Sequence, residues 1–154
     1  IVEPLDAPAL LAAPFEARAL AQPALTRLAL GEVESVPVGR YAKAWLEAQG
    51  VWSALEARVV PGVDARAVLA AVESGAVSAG IVYRTDAERS ARVRIVHVVP
   101  AAEGPRIVYP LALIAGRSER QTAAARAFAE HLAAPEARAA FEAAGFAFLP
   151  ATDG

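Results

Sequence analysis

Short apolar runs alternate with amphipathic stretches along most of the chain, beginning near Leu25. In each unit an apolar run ends at a turn, and apolar positions then recur at helical spacing. The run is typical of a buried strand, and the recurring positions are typical of a helix with one buried face. The pattern therefore predicts an α/β protein in which helices flank a mostly parallel sheet.

Turn and capping signals give the bounds of these elements. The predicted strands are Leu25–Leu30, Leu55–Val60, Ala79–Tyr83, Val93–Val99 and Ile107–Ile114. Helix start and stop residues are Pro37 with Gly50, Asp64 with Gly75, the capping-box pair Ser118 and Gln121, and Pro135 with Gly145. In the helix after Ser118 the predicted buried stripe consists of Ala125, Phe128, Ala129 and Leu132.

Prolines divide the beginning of the chain into short apolar runs, so any helix before residue 25 must be short. We therefore predict a proline-rich lead-in or hinge segment over residues 1–24. An α/β lobe with a C-terminal helical hairpin is expected over residues 25–149, and a tail over residues 150–154. The sequence begins at Ile1 without an initiator methionine, as expected of a processed product or a piece of a longer chain.

Composition excludes several classes of protein. The 154 residues are 56% hydrophobic and 21% charged, which favours a packed core over disorder. Fifteen Lys and Arg residues against seventeen Asp and Glu give a formal net charge of −2, so no general attraction to nucleic acid is expected. The chain has no cysteine, which excludes disulfides, thiol nucleophiles and Cys-ligated metal centres.

Candidate catalytic and metal-binding residues are sparse. His97 and His131 are far apart in the sequence, and neither has a second histidine or a carboxylate at ligand-like spacing. Ser78 lies in a partial nucleophile-elbow pattern, but it precedes its strand instead of following it. We expect no catalytic residue, no metal ligated directly by the protein and no cofactor.

Two strand-to-helix junctions, at residues 34–39 and 61–65, suggest a binding site instead. Right-handed crossovers place both at the same end of a parallel sheet, where open α/β sheets bind ligands. The first turn of a helix has backbone N–H groups without partners, so Val38 and Ala65 can each direct an amide at an anion. Tyr83 ends the next predicted strand and can add a hydroxyl donor, which makes these three residues the candidate anion-binding site.

A series of short motifs runs in a fixed order over residues 25–149. The first is Glu34–Lys43, which reads ESVPVGRYAK and is followed by Trp45-Leu46 and the turn Gly50–Trp52. The others are Val63–Leu69, Gly80–Tyr83 with Thr85–Ala87, Val108–Ala112, Pro135–Ala137 and Ala144–Phe146. In this order they resemble the periplasmic molybdate-binding proteins of ABC importers.

The resemblance implies a type II periplasmic binding protein fold, in which two α/β lobes close on a tetrahedral oxyanion, molybdate or tungstate, for an ABC permease. It implies three oxyanion donors without direct metal ligation: the backbone N–H groups of Val38 and Ala65 and the hydroxyl of Tyr83. It also implies a periplasmic location. Since nothing before Leu25 corresponds to the family's first lobe, we expect a second lobe alone, with an exposed face that promotes self-association.

Two other classes of function stay open at this point. The same lobe architecture serves as the ligand-sensing effector domain of transcription regulators, which predicts a DNA-binding module in the parent gene. An enzyme is the third class, but the sequence lacks the nucleophile–base pair, metal site or cofactor loop that catalysis requires. A binding protein is therefore the leading interpretation.

Overall fold

A five-stranded sheet organises the first part of the computed structural model, which describes residues 1–114 and 118–148. The strands are β1 (Val2–Pro4), β2 (Leu28–Gly31), β3 (Val59–Gly62), β4 (Ala79–Gly80) and β5 (Val93–Ile95). Their order in the sheet is β3-β2-β4-β1-β5. Strand β2 pairs in parallel with β3 and β4, whereas β1 is antiparallel to β4 and β5. The predicted α/β class is confirmed.

The helices of this part are α1 (Pro37–Ala48), α2 (Trp52–Leu55), α3 (Ala65–Glu73) and α4 (Arg84–Ala87). α1 and α3 begin where the signals at Pro37 and Asp64 predict, whereas the short helices α2 and α4 were not predicted. The side chain of Asp64 caps α3 by accepting a hydrogen bond from the Ala67 N–H at 2.8 Å. Within the lead-in segment the structure has β1 and a 3₁₀ turn, Ala17–Ala21, so helix there is indeed short. Among the described residues, no helix is long and apolar enough to cross a membrane.

Two hydrophobic clusters cover the two faces of the sheet. Leu28 and Leu30 belong to the cluster that contains the buried side of α1. Ala29, the residue between them, belongs to the cluster that contains Val68 and Val72 of α3. Since successive side chains of a strand point to opposite faces, α1 and α3 pack on opposite faces of the sheet.

The chain divides into two compact units, residues 1–106 and residues 107–154. The second unit contains two helices, α5 (Glu119–Ala133) and α6 (Pro135–Ala143). Ser118 caps α5 by accepting from the Gln121 N–H, as the capping box predicts. Gly145 follows α6 with a φ of 86°, a conformation that favours glycine and ends the helix. The predicted tail, residues 150–154, lies outside the described residues.

The predicted buried stripe of α5 is wrong for this structure. Ala125 and Phe128 are exposed, and Ala129 and Leu132 are half-buried. The stripe has the spacing of a buried face, but burial requires a second surface packed against it. The described residues of this unit cover the stripe only in part.

The predicted strand Leu55–Val60 is wrong over residues 55–58. Here α2 continues into a 3₁₀ turn, Glu56–Arg58, and β3 begins only at Val59. The guanidinium of Arg58 donates to the carbonyls of Ala21, Gln22 and Leu25 at 2.8–3.1 Å. These long-range bonds hold residues 21–25 and the helical turn together, and they leave Leu25 outside the ladder of β2.

Two other strands are shorter than predicted, and a third predicted strand does not pair with any strand of the described residues. β4 ends at Gly80 instead of Tyr83, and β5 ends at Ile95, which pairs with Val2 in the three-residue strand β1. Residues 107–114 have no strand partner among the described residues. Apolar runs specify what can be a strand, whereas the neighbouring strand decides how much of the run pairs.

Candidate functional site

The three predicted donors follow the carboxyl ends of three adjacent parallel strands. Val38 lies after β2, Ala65 after β3 and Tyr83 after β4, and β2 lies between the other two strands. Parallel strands end at a common edge, so the topology brings all three residues to one edge of the sheet. That these residues bind an anion stays a prediction.

Val38 is the second residue of α1, after Pro37 at the first helical position. Its side chain is buried, and among the described residues no acceptor lies within hydrogen-bonding geometry of its N–H. The helix begins directly above the end of β2, because a Cβ at Gly31 would come within 2.8 Å of the Gly39 nitrogen. Glycine at both positions therefore brings the first turn of α1 against the strand.

Ala65 is the first residue of α3 and is half-buried. In the part of the chain that the structure describes, its N–H also has no acceptor, and the Asp64 side chain accepts from Ala67 two residues further on. Gly62 ends β3 and lies below this turn: a Cβ there would approach the Val68 nitrogen to 3.2 Å. The arrangement repeats that of α1, with a glycine at the strand end under the first turn of a helix.

Tyr83 is half-buried and immediately precedes α4. Its carbonyl accepts from the N–H groups of Asp86 and Ala87, each at 3.1 Å. The connection from β4 stays beside β2, because the Ile81 N–H donates to the Ala29 carbonyl at 3.1 Å. Tyr83 therefore lies at the same edge of the sheet as the two helix starts.

A ligand shared by Val38 and Ala65 must lie beyond the edge of the sheet. The two helices flank opposite faces, so their first turns can converge only in front of the strand ends. The Glu32 N–H donates to the Gly62 carbonyl at 2.8 Å and ties the two junctions together at this point. Helix starts in this position present partial positive charge to an anion without any cationic side chain.

The acidic side chains of the first junction are held by neighbouring groups. Glu32 accepts from the Glu34 N–H and from both the N–H and the hydroxyl of Ser35, at 2.6–3.1 Å. The hydroxyl and N–H of Ser35 lower the pKa of Glu32. Lys43 donates to Glu34 at 2.9 Å, and this bond raises the pKa of Lys43. Both carboxylates therefore have hydrogen-bond donors, but only Glu34 has a cationic partner and Glu32 keeps its negative charge. The candidate donors at this junction are neutral amides.

The sequence interpretation missed the structural role of Gly31, Gly39 and Gly62. Two of them come directly after apolar strands, which is a usable signal for close approach of backbone. The sequence around these glycines does not distinguish them from turn glycines such as Gly50 and Gly75, which have positive φ. Only the packing of helix against strand makes that distinction.

Other features of the described residues do not form a competing site. No group of three or more His, Cys, Asp or Glu side chains there is arranged to hold a metal ion. A cavity of about 300 Å³ in the first unit is lined by residues that include Phe15, Trp45 and His97. Its lining contains none of the three predicted donors.

Comparison with known proteins identifies the family and supports the fold. A family model described as bacterial extracellular solute-binding protein matches residues 4–147. This chain belongs to that family. Membership of an extracellular family implies a location outside the cytoplasm for this solute-binding protein.

Relatives that are named for the ligand they bind share sequence with this solute-binding protein, and a solved structure shares its fold. The molybdate-binding proteins ModA of Escherichia coli and Haemophilus influenzae are 38% and 34% identical to it, over 78% and 77% of the chain. A substrate-binding domain from Clostridium difficile superposes on 97% of the chain with a TM-score of 0.80 and 26% identity. The match covers 46% of each ModA protein and 62% of the Clostridium difficile chain, so this chain spans less than half of those curated relatives.

Proposed function

We propose that this chain is the second lobe of a molybdate- or tungstate-binding protein that delivers the oxyanion to an ABC permease. The observation that carries the proposal is the pair of helix starts, α1 and α3, at the common edge of β2 and β3. Two unpaired amides at one edge suit a tetrahedral dianion, because they bind its oxygens without adding a fixed positive charge. The names of the ModA relatives support molybdate as the ligand.

The ModA relatives also bear on the type of function, the location and the missing donors. The relatives are named as binding proteins, which favours a non-enzymatic role without a cofactor, and the location proposed is the periplasm. No relative reported above supports the alternative of a transcription-regulator effector domain. The remaining donors are proposed to come from a first lobe, and without it the exposed face of this lobe is expected to promote self-association.

The proposal is tested by thermal unfolding of this chain with molybdate, tungstate, sulfate and phosphate. A ligand that binds only the native state stabilises it by RT ln(1 + [L]/Kd), and 1 kcal/mol shifts Tm by about 2–4 °C for a domain of this size. We expect molybdate and tungstate at millimolar concentration to raise Tm more than sulfate and phosphate do. Equal shifts for all four anions would contradict the proposed selectivity.

Ala65→Pro is expected to weaken molybdate binding by about 1.5–3 kcal/mol, the range for a hydrogen bond to a charged group. Proline removes the N–H of residue 65, yet it fits the first position of a helix. Asp64 before it is already extended, with φ −160° and ψ 177°, as a residue preceding proline must be. Calorimetry measures the affinity in a two-lobe protein that contains this chain.

The matched control for Ala65→Pro is Glu119→Pro. Glu119 occupies the equivalent first position of α5, after the extended residue Ser118. Both variants should keep the far-UV circular dichroism and the Tm of the parent, and only Ala65→Pro should lose affinity. An equal loss in both variants would show that the amide of residue 65 has no specific role.

Tyr83→Phe is expected to weaken the same binding by about 1–3 kcal/mol, because the substitution removes the donor hydroxyl and leaves the ring. The measurement is again calorimetry with molybdate on the two-lobe protein. Tyr41→Phe is the control, since Tyr41 is half-buried like Tyr83 but is not among the predicted donors. An unchanged Kd in Tyr83→Phe would refute the role of the hydroxyl.

A further inference from the structure

Three aromatic rings line the cavity of about 300 Å³ in the first unit, those of Phe15, Trp45 and His97. Phe15 stacks on His97 with 4.5 Å between the ring centroids and 23° between the ring planes. Trp45 lies beside the same histidine at 6.3 Å and 27°. The three ring planes are therefore nearly parallel, and the cavity has the volume of a small-molecule site at the lower end of the usual range.

The charged groups around this cavity are acidic. Glu16 and Glu103 line it together with the amide of Gln49, and no Lys or Arg side chain does so. Arg18 pairs with Glu16, whereas Glu103 has no ion-pair partner in the part of the chain that the structure describes. Burial lowers the pKa of His97, so its ring is neutral at pH 7. The cavity consequently favours a positively charged ligand over an anion.

The chain has two tryptophans, and only one of them has a cation over its ring among the described residues. The ammonium nitrogen of Lys43 lies 5.5 Å from the ring centroid of Trp52, a distance typical of a cation–π contact. Trp45 is buried, and its indole N–H has no acceptor among those residues. Native proteins rarely leave a buried donor unpaired. The described side chains therefore supply neither a cation nor an acceptor to Trp45.

The type of cation follows from the lining. No group of three or more His, Cys, Asp or Glu side chains among the described residues is arranged to hold a metal ion. A primary ammonium is a compact, strongly hydrated charge, and aromatic rings do not replace its water. A quaternary ammonium has its charge spread over methyl groups, which contact ring faces directly.

We infer that this cavity binds a small organic cation of the quaternary ammonium type, with its methyl groups against the rings of Phe15 and Trp45 and with Glu103 as the counter-charge. The inference goes beyond the proposed function and does not depend on it, because none of the predicted anion donors lines the cavity.

Choline and its uncharged carbon isostere, 3,3-dimethylbutan-1-ol, test the inference by NMR titration of the 154-residue chain. The indole N–H resonances of Trp45 and Trp52 are followed, and Trp52→Phe assigns them. We expect choline to shift the Trp45 resonance saturably, with a Kd in the millimolar range, and the isostere to bind at least about threefold more weakly. The Trp52 resonance is the internal reference, since Trp52 does not line the cavity.

Two variants locate the site. Phe15→Leu keeps an apolar side chain but removes a ring, and Glu103→Gln removes the charge of an exposed side chain without disturbing the core. Each is expected to weaken choline binding by about two- to fivefold, the range for an exposed cation–π contact or ion pair. Glu56→Gln is the control, because Glu56 is an exposed glutamate of the same unit outside the cavity lining.

Four outcomes would each overturn the inference. The first is the absence of a saturable shift of the Trp45 resonance with choline. The second is equal affinity for choline and the isostere, which would show that charge is not recognised. The third is an unchanged Kd for choline in either Phe15→Leu or Glu103→Gln, and the fourth is an equal loss of affinity in Glu56→Gln.

Discussion

Glu3→Ala is expected to lower the free energy of unfolding by about 3–5 kcal/mol, the cost of removing one partner of a buried ion pair. Glu3 is only 1% exposed, and it accepts from the N–H groups of Leu10 and Leu11 at 3.1 and 3.0 Å. Its other oxygen accepts from Arg94 at 3.1 Å. The substitution leaves Arg94 without its carboxylate and leaves two backbone donors without an acceptor.

Urea unfolding followed by the fluorescence of buried Trp45 measures this loss. Glu16→Ala is the matched control, because Glu16 pairs with Arg18 at the surface and both side chains are more than half exposed. Exposed pairs contribute little, so the control should unfold close to the parent midpoint. If Glu3→Ala lowers the free energy of unfolding no more than Glu16→Ala does, the Glu3 carboxylate does not hold the lead-in segment on the sheet.

Gly39→Ala is expected to lower the free energy of unfolding by about 3 kcal/mol, the upper end of the usual range for overpacking. A Cβ at this position would overlap the Gly31 carbonyl oxygen. Because that atom belongs to the backbone of β2, no change of rotamer relieves the clash, and α1 must move away from the strand. The same movement displaces the Val38 amide, so molybdate binding should weaken in parallel.

Gly104→Ala is the control for this prediction. A Cβ there would meet the Val99 side chain at 3.2 Å, and a side chain can adjust by a few tenths of an ångström. The two variants are compared by urea unfolding of this chain and by calorimetry with molybdate in the two-lobe protein. Equal stability of the two variants would show that α1 does not depend on close contact with β2.

The three candidate donors illustrate what local sequence can predict. Val38 and Ala65 were found from proline and aspartate signals at helix starts, which act within one turn of the chain. Their placement at one edge followed from a topological rule and not from any pattern in the sequence. The glycines under the two helices were not found, because close approach between a strand and a helix is a long-range property.

The predicted strand Leu55–Val60 and the stripe of α5 failed for the same kind of reason. Arg58 reaches carbonyls more than 30 residues away, and this contact selects a helical turn where the apolar pattern favours a strand. Phe128 has the spacing of a core residue, but spacing does not supply the surface that buries it. Neither the carbonyls that Arg58 contacts nor the surface that would bury Phe128 is visible in a local window of sequence.

The sequence by itself determined the α/β class, the starts of α1, α3, α5 and α6, and the residue types available to bind an anion. These properties depend on capping and periodicity, which act over a few residues. Only the tertiary structure decided where β4 and β5 end, how Glu3 and Arg58 secure the lead-in segment, and which glycines bring helices against strands. These features depend on groups that are distant in the chain, and their free energies arise only when the fold brings them together.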